Sequence, residues 1–277
     1  MLLVKKWREC LLPLLVGLVF MGTAQAASRE LLLGVNEGTS GALSYTDMQE
    51  RYKPLASYLS AQLKRPVTLE SARNLDSLNY NLKKKRYDLV LIRPSHIAAR
   101  AMRDDGYKLL AAAQGEAITY FIVPGTSPLK TPADLQGKAI AFPDDQAYPT
   151  RVALAMLRDQ GIKPNQVKLQ YFQTQEVVGY SVENKFNDAG VVVSYSKVAK
   201  DWTKQGGRIL WKSRSLPFWS VTASSQLDDA TQATVKSALL ALSNNAQGQE
   251  ILKKAGVSGF VPADPAAYLT LLKWTGD

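Results

Sequence analysis

The chain has 277 residues, is 46% hydrophobic and 21% charged, and carries a formal charge of +10. It has one cysteine, Cys10, and one histidine, His96. This composition describes a globular chain with one large core or two modest ones, and it excludes a disulfide framework and a zinc site of the Cys/His type.

The first segment is read apart from the fold. Lys5, Lys6 and Arg8 precede an apolar run over 11–20, and small residues close it at Ala24-Gln25-Ala26. Basic, apolar and cleavable in that order is the pattern of a secretory signal peptide, so cleavage near Ala26 is expected. The apolar run is too short for the roughly 20 residues of a membrane span. Cys10 would leave with the signal, which also carries Glu9, so 251 residues with a charge of +8 would remain. A basic secreted chain attracts anions at long range. Nucleic acid is not an expected partner, and Lys83-Lys84-Lys85-Arg86 reads as a solvated helix end.

Strand-like runs then alternate with helix-like ones. Strands are expected over 31–35, 67–70, 88–92, 109–113, 117–123, 138–142, 167–172, 189–194, 208–211 and 218–223. Leu89-Val90-Leu91-Ile92 and Val191-Val192-Val193 are apolar throughout, as in parallel strands covered by helices on both faces. Helices are expected over 47–63, 75–85, 95–104, 151–160, 175–184 and 196–205, with a kink or restart at Pro54. The tail after Asp228 reads as helices alone, over 230–243, 247–255 and 263–274. The alternation predicts an α/β protein. The segments 117–123 and 218–223 are rich in aromatic and β-branched residues and are placed as crossings between two lobes. Lobe 1 would then be 28–116 with 217–277, and lobe 2 would be 117–216.

Four stretches carry a resemblance. They are Arg51-Tyr52-Lys53-Pro54-Leu55-Ala56, then Arg86-Tyr87-Asp88-Leu89-Val90-Leu91-Ile92-Arg93-Pro94-Ser95, then Ser127 to Lys138 with Asp134-Leu135-Gln136-Gly137-Lys138, and Ile209-Leu210-Trp211-Lys212-Ser213 through Pro217. Together they resemble the phosphate, phosphite and phosphonate solute-binding proteins of ABC importers. The resemblance implies a two-lobed type II periplasmic-binding fold, each lobe a mixed sheet flanked by helices. It also implies periplasmic capture of a small oxyanion, a monomer, and an ABC permease or another inner-membrane partner. No cofactor and no metal are implied. A sensory or accessory protein that presents a ligand to a membrane partner is the alternative on the same fold.

Candidate contacts follow from that placement. Thr39 and Ser40 follow the first strand and would offer hydroxyls. Arg93 stands where the family usually has Gly; it offers a bidentate partner for an oxyanion or else a salt bridge on the lobe surface. Ser95 and His96 open the next helix, and His96 reads as a ligand contact or a packing residue. The family's Ser-Thr-Ser-Gly run is missing from the segment Asp144-Asp145-Gln146-Ala147-Tyr148-Pro149-Thr150-Arg151, which leaves Tyr148, Thr150 and Arg151 as ligand contacts or an ordinary helix start. Glu176 would oppose an anion unless the ligand carries a proton or a positive group. Ser194 and Tyr195 are neutral donors. No nucleophile elbow, phosphate-binding Gly-rich loop or His-Glu-x-x-His motif occurs, so catalysis is not expected.

Overall fold

A computed structural model describes residues 29–39, 44–72 and 74–276. The expected signal segment and Ser40 lie outside the described residues. In chain order the elements are β1 (Leu31–Asn36), α1 (Tyr45–Leu63), β2 (Val67–Ser71), α2 (Leu75–Lys83), β3 (Leu89–Ile92), α3 (Ser95–Asp104) and β4 (Lys108–Ala113). There follow β5 (Thr119–Val123), β6 (Ala139–Phe142), α4 (Tyr148–Asp159), β7 (Lys168–Tyr171), α5 (Gln175–Glu183), β8 (Ala189–Val193), α6 (Lys197–Trp202) and β9 (Arg208–Lys212). The chain closes with β10 (Ser220–Ala223), α7 (Asp229–Ala241), α8 (Ala246–Ala255), β11 (Phe260–Val261) and α9 (Pro265–Thr275).

The strands form two sheets, ordered β11-β4-β10-β3-β1-β2 and β7-β6-β8-β5-β9. β1, β2 and β3 run parallel, as do β6, β7 and β8; the central strands β3 and β8 are buried throughout, while the edge strands β2 and β7 are half-exposed. β10 runs antiparallel to β3 and β4, and β5 antiparallel to β8 and β9. Each strand reached by a crossing is thus inserted against the parallel direction of its sheet. The two crossings pair with each other at Ala117 and Leu216, where each N–H donates to the other's carbonyl at 3.2 and 3.0 Å.

Each sheet is sandwiched. On one face of the first sheet β1 and β10 bury Leu33, Val35 and Val221 with Leu55 and Leu59 of α1 and Leu239 of α7. On its other face Val90 and Ile92 meet Leu78, Leu82, Ile97 and Tyr87. The close fit fixes Gly34, where a Cβ would stand 2.7 Å from the Tyr87 ring. In the second sheet Ile140, Phe142, Val191 and Val193 pack on α4 through Val152 and Met156, while Val178, Val182 and Trp202 cover the opposite face.

Three features depart from the sequence reading. α1 continues through Pro54 as one 19-residue helix. Burial of Tyr52, Leu55, Ala56 and Leu59 on one stripe outweighs the single hydrogen bond that proline removes. The tail is not purely helical, because Phe260 and Val261 add β11 to the edge of the first sheet. α4 also begins earlier than expected, at Tyr148 with Pro149 in its first turn, so residues 148–150 are helical.

Candidate functional site

The site grows from the end of β1. Glu37, buried, follows that strand, and its carboxylate accepts hydrogen bonds from Arg51 at 2.8 Å and from the Tyr52 hydroxyl. Its other oxygen stands 3.0 Å from an Arg93 nitrogen. Burial works against the charge of Arg51, but the Glu37 carboxylate holds that guanidinium above its ordinary value. Burial, with Glu37 adding to it, pushes the Tyr52 phenol well up, so it stays a donor. One buried carboxylate shared by two guanidiniums leaves the cluster with a net positive charge.

Arg93 leaves the end of β3 and lies over Trp219, its guanidinium carbon 3.8 Å from the ring centroid. Tyr195, from the loop after β8 in the second lobe, is 5.7 Å from the same guanidinium. Tyr195 stands edge-on to Phe218 and Trp219, with centroids 5.3 and 5.9 Å apart. Burial raises the Tyr195 phenol, which keeps it protonated near neutral pH. Tyr195 and Phe218 touch the cores of both lobes, so this aromatic group spans the interface.

The lobes also meet through Gln146, just before α4. Its carbonyl is 3.0 Å from Nε2 of the buried His96, its side-chain amide donates to Asp76 at 2.7 Å, and its side-chain oxygen accepts from Asn79 at 3.0 Å. The Gln175 amide donates to the Thr39 carbonyl at 3.3 Å. Three helices begin at this interface, α3, α4 and α5, and none has a side-chain cap. The six other α-helices of the described residues are each capped by Ser44, Asn74, Ser196, Asp228, Asn245 or Asp264. Uncapped starts leave positive helix ends at the lobe interface.

Two cavities open between the lobes, and Glu37 lines both. One of about 660 Å³ is walled by Arg51, Arg93, Tyr195, Lys197, Lys200, Phe218 and Trp219, with Glu116 and Asp201 at its wall. Its lining holds four cations against three carboxylates. The other, of about 480 Å³, is lined by Thr39, Asn74, Asp76, Asp144 and Thr174 and has no basic residue. Burial raises the Asp144 carboxyl, and the neighbouring Asp145 and Asp76 add to that. Hollows of about 810 and 820 Å³ lie along α1 and β2 within the first lobe, where lobe movement could not shut them.

Of the residues expected from sequence, Arg93 and Tyr195 share the 660 Å³ cavity and Thr39 lines the other. His96 and Tyr148 face each other across the lobes, ring centroids 5.8 Å apart. The Ser95 hydroxyl lies 2.9 Å from the carbonyls of both Pro217 and Phe218, tying α3 to the return crossing. The Thr150 hydroxyl donates to the Pro143 carbonyl at 3.2 Å, and the Ser194 hydroxyl accepts from the Ile118 amide at 3.2 Å. Arg151 is half-buried and Glu176 exposed, and neither lines the two interlobe cavities. Glu37, Arg51, Trp219 and Phe218 escaped the sequence reading of the site. Glu37 and Trp219 adjoin a strand end and a crossing, which is the one sequence signal that marks them. Among the described residues no group of three or more His, Cys, Asp or Glu could hold a metal ion, and no helix is long and apolar enough to cross a membrane.

With this geometry in place, comparisons are informative. A family model described as ABC transporter, phosphonate, periplasmic substrate-binding protein matches residues 40–268. No curated protein matches the chain. Among solved structures, XAC2383 from Xanthomonas citri bound to ATP is 18% identical with a TM-score of 0.74, over 89% of this chain and 96% of that one. PhnD1 from Prochlorococcus marinus in complex with methylphosphonate is 16% identical with a TM-score of 0.73, over 88% and 96%. A binding-protein component of an ABC phosphonate transporter from Pseudomonas aeruginosa is 14% identical with a TM-score of 0.71, over 88% and 85%. At these identities the structures establish a shared fold, the two-lobed type II periplasmic-binding architecture.

Proposed function

This chain belongs to the ABC-transporter phosphonate periplasmic substrate-binding protein family, and from that premise we propose that it captures a small oxyanion in the 660 Å³ interlobe cavity and presents it to an inner-membrane permease. The observation that carries the reading is Arg93, a buried guanidinium at the lobe interface that shares the Glu37 carboxylate with Arg51 and lines the cavity. An oxyanion entering there would accept charge-assisted hydrogen bonds from guanidinium groups that Glu37 holds in place. Lys197 and Lys200 add positive field from the opposite lobe.

Arg93 and Tyr195 contact the ligand in this reading, His96 and Tyr148 seal the lobes behind it, and Thr39 guards the second opening. Ser95, Thr150 and Ser194 act through the backbone they hold. The lobes 28–116 with 217–277 and 117–216 swing about Ala117 and Leu216. The protein works as a monomer, freed of its leader near Ala26, and returns its ligand unaltered. Closure is favoured only by the ligand's better contacts in the closed form.

A thermal-shift panel of phosphate, phosphite, methylphosphonate, sulfate and acetate tests the reading. Ligand at 100 times its Kd stabilises the native state by about 2.7 kcal/mol, so at least one phosphorus oxyanion should raise Tm by several degrees. No response to any of the five, with a response to a neutral sugar or a cationic amino acid, would contradict it.

A further inference from the structure

Resting on that reading, we infer that the cavity's ligand is an organic oxyanion carrying a planar apolar ring, not a bare or methyl-sized ion. A cavity of about 660 Å³ lies within the range that encloses drug-sized ligands, whereas phosphate or methylphosphonate has only a handful of heavy atoms. The surplus space is not uniformly polar. Phe218 and Tyr195, both half-buried, turn part of their rings to it. Phe218 is backed by Gly115, where an added Cβ would come within 3.1 Å of the ring, and by Trp219, with centroids 5.2 Å apart. The ring is therefore held in place.

The cation beside this wall is also flat. The Arg93 guanidinium carbon lies 3.8 Å from the Trp219 centroid and 5.7 Å from that of Tyr195, so the cation that would meet the anionic end is set into the same aromatic group that forms the wall. An oxyanion alone needs none of these aromatic surfaces. A ligand with an anionic end toward Arg93 and a planar end against Phe218 uses both the cation and the aromatic wall.

The test compares three probes of one charge type on the whole protein: methylphosphonate, cyclohexylphosphonate and phenylphosphonate, titrated by calorimetry. Phenylphosphonate should bind at least tenfold more tightly than the other two. Phe218→Leu should reduce that preference to less than threefold, with far-UV circular dichroism reporting that the variant is folded. Equal affinities for all three, or equal affinities for the phenyl and cyclohexyl probes, overturn the planar-ring inference and leave oxyanion capture standing. Binding of none of the three overturns the oxyanion reading itself.

Discussion

Glu37 decides the electrostatics of the cleft. It faces Arg51, Arg93 and the Tyr52 hydroxyl at once, so Glu37→Gln would remove the buried carboxylate that the two guanidiniums share. Removing one partner of a buried ion pair destabilises by about 3–5 kcal/mol; urea unfolding of Glu37→Gln should show a loss near the lower end, because Gln retains an acceptor. A change within ~0.5 kcal/mol, the usual size for an exposed site, would show that the cluster is solvated instead. Asp144 has the opposite character. Burial lifts its pKa above the unfolded value, so the folded protein binds that proton more readily than the unfolded chain does. The charged form therefore opposes folding at neutral pH, and the penalty fades as pH falls through the raised pKa. Asp144→Asn should raise Tm at pH 7, and the gain should shrink on approach to pH ~4, near the ordinary carboxyl range. A gain that grows on acidification would contradict this. Arg93 was legible in the sequence because it ends an apolar strand where an α/β fold places its ligands. Glu37 was not, because its meaning depends on Arg51 and Arg93, which are 14 and 56 residues away and meet it only in the fold.

At the scale of elements, α9 is the least expected part. It starts on the first lobe, where Tyr268 and Leu272 pack with Ala99 of α3 and the Tyr268 hydroxyl donates to the Phe218 carbonyl at 2.7 Å. It ends on the second lobe. There Leu271 joins the α4 core, the Trp274 indole donates to Asp159 at 2.7 Å, Arg158 donates to the Trp274 carbonyl at 2.7 Å, and the Arg214 guanidinium stacks 5.0 Å from the ring. The chain thus bridges its lobes a third time, beside the paired crossings. Trp274→Ala should cost about 2 kcal/mol in chemical denaturation, less than the 3–5 kcal/mol of a fully buried tryptophan. No loss would mean that the bridge contributes nothing to stability. The periodicity of 263–274 announced a helix but not its double allegiance, since an amphipathic stripe does not name the surface it covers. The strands were the clearest signal. Ten apolar or β-rich runs each contain one, whereas β11, with two residues, is too short to stand out from its loop.

At the scale of the molecule, two sheets of matching strand order are held by two paired crossings and α9, and the chain's basic excess meets the cleft through Arg51, Arg93, Lys197 and Lys200. In the proposed reading, exposed lysines at such a mouth would steer anions to it, while the buried guanidinium would retain them. Ligand association should therefore slow as salt screens the lysines over a Debye length of ~8 Å at physiological ionic strength, with a smaller change in dissociation. Stopped-flow traces at low and high salt separate the two rates; a salt effect confined to dissociation would contradict the steering. The overall plan was readable because alternating β and α runs with two aromatic crossings admit few arrangements. The contents of the cleft were not, because they are assembled from seven separate stretches of chain.

The account turns on Arg93 as the anion's partner. Calorimetric titration of methylphosphonate into the protein and into Arg93→Met is the direct test, because methionine preserves the apolar contact with Trp219 and leaves Glu37 paired with Arg51. Saturable one-to-one binding that falls at least tenfold in Arg93→Met is the predicted result. Equal affinity in both proteins, or no saturable heat in either, would contradict it.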